Sequence, residues 1–203
     1  MADPGFYHEF QSEVEDSVVG GIIKPQAHWN AKHKPVKLLG YELVEEKSIT
    51  SGQSSITFNG LNGDVDEEYL LEYKITQAVT GTNSVVYIQL NSNSSGYYSE
   101  VTRWWGTSGD AVNYADRFGL TRHGANGQTL YQKGKVELDV KSGLPRFCDA
   151  SGVSKSPTET VKHIAGGTWG DTSANVTDLI FGVSVGLFTG KLRLWKKLPI
   201  NED

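Results

Sequence analysis

The chain has 203 residues, a formal net charge of -5, 23 glycines, 6 prolines and one cysteine. That charge gives no overall basic footprint and so argues against nucleic acid as the main partner, and no run approaches the ~18 apolar residues of a membrane span. Cys148, alone, can form no internal disulfide and no thiolate cluster for zinc; in Arg146-Phe-Cys-Asp-Ala it reads as a small residue packed in a strand.

Residues 1–20 carry the signals of a short capped helix. Asp3 suits the N-cap, Pro4 the first turn and Gly20-Gly21 the stop, while Phe6, Phe10, Val14 and Val18 recur every fourth residue and share a face. That stripe needs a cover, either the chain's own body or a neighbouring subunit. Residues 1–20 hold five acidic and no basic side chains, whereas residues 21–40 hold Lys24, Lys32, Lys34 and Lys37 and no acid. Blocks of opposite sign can pair within a chain or between protomers. Pro25 and Pro35 exclude a continuous helix in the second block and leave an extended arm bearing His28, Trp29 and His33. Met1-Ala-Asp-Pro lacks the charged start and apolar stretch of a secretory signal, so synthesis in a cytoplasm without membrane insertion is expected.

From residue 41 the hydrophobic period becomes two. Tyr69, Leu71, Tyr73 and Ile75 alternate with Leu70, Glu72, Lys74 and Thr76, and Val136, Leu138 and Val140 with Lys135, Glu137, Asp139 and Lys141. Further strands are expected at 41–49, 54–58, 84–90, 130–132, 146–150, 161–164, 176–185 and 191–198. Asn62-Gly63, Ser142-Gly143 and Thr189-Gly190 supply turns. Residues 91–126, rich in Ser, Asn and Gly, read as a long excursion with a short helix near 110–117. The pattern predicts an all-β, antiparallel β-sandwich (jelly roll) over residues 41–203, preceded by a helix and arm over residues 1–40.

Three stretches share one further pattern: Ile56-Thr-Phe-Asn-Gly-Leu-Asn-Gly-Asp-Val-Asp-Glu-Glu-Tyr69, Gly134-Lys-Val-Glu-Leu-Asp-Val-Lys-Ser-Gly-Leu-Pro-Arg146 and Gly190-Lys-Leu-Arg-Leu-Trp-Lys-Lys197. In this order they resemble the C-terminal jelly-roll modules of tailed-bacteriophage virion proteins, over roughly residues 50–198. The resemblance implies a non-enzymatic structural protein of a tail, fibre or capsid decoration, located in the virion. Its partners would be other virion proteins and copies of itself, a trimer by analogy. Phe6, Phe10, Val14, Val18 and Trp29 are then the expected assembly residues.

Enzymatic motifs fare poorly. Gly182-Val-Ser-Val-Gly186 matches a serine-hydrolase elbow, but that elbow needs a strand turning into a helix, and here a strand follows. Gly186-Leu-Phe-Thr-Gly-Lys191 is one residue short of a phosphate loop, with Leu192 where Ser or Thr should stand. The acidic run from Asp64 to Glu68 reads as a strand connection rather than a calcium loop, and the histidines lack metal-ligand spacing. Neither a cofactor nor a metal is expected. The stretch that suits a ligand is Tyr97, Tyr98, Arg103, Trp104 and Trp105, since aromatic faces stack on sugar rings and Arg bonds their edges. Against this, consecutive aromatics on a strand face opposite sides, so one of each pair would be core. Trp169 is a second exposed-aromatic candidate. The site implies a host-surface glycan, and the alternative reading of the whole chain is a carbohydrate-binding β-sandwich module.

Overall fold

The computed structural model describes residues 40–81, 83–124 and 127–198, and the backbone of three short strands before them. The first two, β1 (Val18–Val19) and β2 (Ile22–Ile23), pair antiparallel with Val18 opposite Ile23. Val18–Val19 is therefore extended, not the end of a helix. The sequence accounts for this: two β-branched pairs flanking Gly-Gly form a hairpin pattern, which overrides the weak helical spacing. Apart from the backbone of Lys37–Leu38 and from Gly40, the remainder of the expected helix and arm, with Phe6, Phe10, Val14 and Trp29, lies outside the described residues, as does the Val18 side chain.

Residues Lys37–Asp203 form one compact unit. Its strands are β3 (Lys37–Leu38), β4 (Tyr41–Gln53), β5 (Ser55–Asn59), β6 (Glu68–Ala78), β7 (Ser84–Leu90), β8 (Tyr97–Trp105), β9 (Ser108–Tyr114), β10 (Phe118–His123), β11 (Thr129–Asp139), β12 (Arg146–Lys155), β13 (Thr160–Trp169), β14 (Asp178–Val183) and β15 (Leu187–Lys197). One helical turn, α1 (Gly63–Asp66), precedes β6. Among the described residues the strands form a nine-stranded sheet, β3-β4-β15-β6-β11-β12-β13-β8-β9, and a four-stranded sheet, β10-β7-β14-β5. Every pairing is antiparallel. The protein is thus the antiparallel β-sandwich that the alternation predicts. β15 lies between β4 and β6 in one sheet, and β14 between β5 and β7 in the other.

The region expected to hold a helix near 110–117 instead forms β9, paired with β8 through Arg103 opposite Asp110 and Val101 opposite Val112. Asp110, Val112 and Tyr114 alternate with Gly109, Ala111 and Asn113, a period of two masked by polarity. Likewise 130–132 and 136–140, read as separate strands, are largely one, β11.

The facing sides of the sheets close a single large core. Tyr69, Leu71, Tyr73 and Ile75 of β6 and Val136 and Leu138 of β11 meet Ile88 of β7, Phe118 of β10 and Phe181 of β14. Phe181 packs on Tyr73 with centroids 5.3 Å apart and edge-on to Phe188 at 5.5 Å. Tyr73 lies over Gly134, where an added Cβ would fall 2.4 Å from its hydroxyl, so the ring occupies space that only glycine leaves. A buried polar chain crosses the core. Thr121 donates to Gln132 (2.8 Å), Gln132 to Gln77 (2.6 Å), and Gln77 to Ser84 and to the Val185 carbonyl (2.7 Å). Each polar atom in this chain thus keeps a partner despite burial.

Candidate functional site

The core-facing positions of the nine-stranded sheet leave the alternate side chains on an outer face, and the expected ligand residues divide between the two sides. On β8, Tyr98 and Trp104 face outward, 75% and 41% exposed. Tyr97, Arg103 and Trp105 face the other way. Tyr97 is core: its hydroxyl accepts from the Leu90 N–H (2.8 Å), and its ring meets Phe118 edge-on at 5.0 Å and stacks on Trp169 at 5.7 Å. Arg103 is committed to Asp110 through two hydrogen bonds and lies 4.7 Å over the Trp105 ring. Tyr97, Arg103 and Trp105 therefore cannot share one surface with Trp104. Trp169, expected to be exposed, is buried at 1%, its indole N–H donating to the Ser95 carbonyl. Period-two alternation explains the split. Trp104 itself lies beside Gly109 on β9, where a Cβ would come within 2.9 Å of the indole, so the ring lies close against its neighbour's backbone.

Strand register brings Trp104 into a row that no local motif announces. Lys191 of β15 stands opposite Lys74 of β6, Lys74 opposite Lys133 of β11, Lys133 opposite Val153 of β12, Val153 opposite Lys162 of β13, and Lys162 opposite Trp104. At about 4.8 Å per strand, the row from Lys191 to Trp104 spans roughly 24 Å across the outer face. Lys155 and Tyr131 form the next register pair on the same face, with Tyr131 62% exposed. Two adjoining depressions, of 590 and 570 Å³, share Lys74, Lys133, Val153 and Lys191 as lining.

The electrostatics of this face are uneven. Lys191 and Arg193 both bond Glu46, at 2.8 and 2.6 Å. These contacts hold the Glu46 carboxyl below the usual range. Lys135 pairs with Glu137 at 3.0 Å. Lys74, Lys133, Lys155 and Lys162 have no ion pair or side-chain hydrogen bond among the described residues, and all four are exposed. Towards the opposite end of the sheet the outer face turns acidic, with Glu137 opposite Asp149, Asp149 opposite Gly166, and Glu100 one strand beyond Gly166.

The motif residues mostly do structural work. Asp64 accepts from the Ser142 N–H (2.9 Å) and Asp66 from the Tyr69 hydroxyl (2.5 Å), tying α1 to the 141–145 turn and to β6. The Ser142 contact holds the Asp64 carboxyl below its ordinary range. Arg146, fully buried, donates to the carbonyls of Val140 (3.3 Å), Asp171 and Ala174. Ser184 accepts from the Val85 N–H (2.9 Å) just beyond β14, and β15 follows without a helix, so the serine lacks the elbow geometry. Cys148 is buried, and that burial pushes its thiol pKa up. No group of three or more His, Cys, Asp or Glu able to hold a metal occurs among the described residues.

Comparison with known proteins adds little. No family model matches the chain, and no curated protein matches it significantly. Among solved structures, the marine PL-14 alginate lyase from Aplysia kurodai aligns over 76% of this chain and 88% of its own, at 9% identity and a TM-score of 0.34. A protein of unknown function from Shewanella oneidensis MR-1 aligns over 92% and 100%, at 7% identity and a TM-score of 0.27. At these scores neither likeness carries an argument.

Of the expected ligand residues, Trp104 and Tyr98 lie on the outer face that also carries the lysines and Tyr131, none of which the sequence singled out. Each of these reads as outward-facing from its own strand's alternation; their adjacency exists only in the register.

Proposed function

We propose that the protein is a non-enzymatic structural component of a tailed-phage virion, a tail, fibre or capsid decoration, whose sandwich meets a glycan through the outer face of its nine-stranded sheet. The observation that carries the glycan contact is the placement of exposed Tyr131 in the lining of one of two adjoining depressions, with exposed Trp104 opposite Lys162, which lines the other. Flat aromatic surface bordered by polar side chains suits the C–H faces and hydroxyl edges of a sugar. The virion context rests on the three motif stretches, whose Asp64, Arg146 and β15 residues are built into the sandwich as turn and strand determinants. Residues 1–40 would supply attachment to other virion proteins, and closed symmetry favours a homo-oligomer, a trimer by analogy.

Immunogold electron microscopy on particles from the source culture, with antibody against the recombinant chain, tests the virion assignment. Label confined to one place on the particle supports it, and unlabelled particles remove it. A glycan panel tests the contact. Binding that Trp104→Ala weakens without lowering the melting temperature supports the proposed face, while silence across the panel at millimolar concentrations ends it. Binding by a chain absent from particles would leave the alternative, a free carbohydrate-binding module, which exposed Trp104 equally favours.

A further inference from the structure

The lysine row specifies the ligand's charge. We infer that the outer face binds an anionic polysaccharide, one bearing a carboxylate or sulfate at regular intervals along the chain, laid across the strands from Lys191 to Trp104. This rests on the glycan-contact reading above and narrows it.

Cross-strand neighbours of like charge destabilise a sheet. Here Lys191, Lys74 and Lys133 stand side by side on three adjacent strands, and only Lys191 has a carboxylate partner. Lys162 continues the row one strand beyond Val153, and Lys155 flanks it. Every other lysine or arginine side chain described is held by a carboxylate or, for Arg146, by backbone carbonyls. An ordinary solvated face would scatter its unpaired cations, whereas all four found among the described residues lie on one patch that Tyr131 flanks and Trp104 ends. These strands are central to the sheet, so the lysines are not guarding an open edge. A bound polyanion would remove their mutual repulsion.

Charge density favours polysaccharide over duplex nucleic acid. The row offers at most one cation per strand, about 4.8 Å apart. A polyuronate carries one carboxylate per ring, a repeat of similar size, whereas duplex DNA presents a charge every ~1.7 Å of axis. The carboxylate of Glu72, which lines the first depression, borders the patch and would repel a wider polyanion. The aromatics at its margins suit sugar rings.

Affinity electrophoresis of the full chain through gels containing polygalacturonate, neutral dextran or duplex DNA tests the inference. The expected result is retardation by polygalacturonate alone, weakened by added salt. Lys133→Gln combined with Lys162→Gln should weaken it about tenfold or more. Lys141→Gln, whose lysine pairs with Glu67 away from the patch, should leave it unchanged. Melting curves accompany each variant, and Lys162→Gln alone replaces the pair if the pair is destabilised. Equal or tighter retardation by DNA, or insensitivity to the patch variants, overturns the inference. Retardation by dextran that depends on Trp104 overturns it while sparing the broader glycan reading. No retardation by any polysaccharide here, together with a silent glycan panel, removes both.

Discussion

The guanidinium of Arg146 lies over the indole of Trp169, 4.9 Å from the ring centroid, and the same indole stacks on Tyr97. The last position of the middle motif stretch thus joins β12 to β13 and, through Tyr97, to β8. Burial pushes the Arg146 pKa down, and three backbone carbonyls with the indole face stand in for the water it loses.

Replacing Arg146 by Met should therefore cost about 3 kcal/mol or more, because the carbonyls of 140, 171 and 174 lose their donor inside the protein. Lys should rescue little, since one ammonium cannot reproduce the guanidinium fork. Urea unfolding measures both; a Met variant as stable as the parent would contradict this account.

His163 sets an acid limit. It is fully buried, its Nε2 is 2.8 Å from the Ser154 hydroxyl, and its Nδ1 accepts from the Arg122 N–H. Burial first, then the nearby charges of His123 and Arg103, push its pKa from 6.5 down to about 3. Between those values the unfolded chain takes a proton that the folded one refuses, so stability should fall as pH drops through this window, by up to about 1.4 kcal/mol per unit for this group. His123, lowered mainly by burial against the opposing pull of Glu159, should act in the same sense. In His163→Gln the slope above the carboxylate range should flatten, as read from unfolding at a series of pH values.

Cys148 should be silent in the folded protein. It is 4% exposed, and its raised pKa keeps it a thiol. Ellman's reagent should therefore react in step with unfolding, and fast labelling of the native protein would show that β12 opens locally.

Removing residues 1–36 should leave a folded sandwich, because the described hydrophobic cluster runs from Ile49 to Leu194. Circular dichroism and melting should match the full chain, while sedimentation reports whether assembly is lost. A truncated chain unable to fold would place the early segment within the core.

The sandwich was legible because β6, β11 and β15 bury every second residue, a signal carried by Leu71, Val136 and Leu192 alike. β8 and β9 were opaque because their inward positions include buried Ser99 and the half-buried pair Arg103 and Asp110, held by hydrogen bonds that hydropathy does not register. The candidate site was half visible. Trp104 stands out in any reading, yet Lys74, Lys133, Lys155 and Lys162 come from four strands, and no property of one strand states which residue will lie beside it.

The placement of β14 and β15 also bears on how the molecule is made. The indole of Trp195 donates to Glu72 across 123 residues of sequence. Until β14 and β15 emerge from the ribosome, β4 and β6 have no strand to join them, and neither do β5 and β7. The nascent chain therefore carries four unpaired edges of the kind that recruit other strands. Premature termination before residue 178 should produce aggregation rather than a smaller folded domain, and chaperone demand during synthesis should peak just before the last two strands are released.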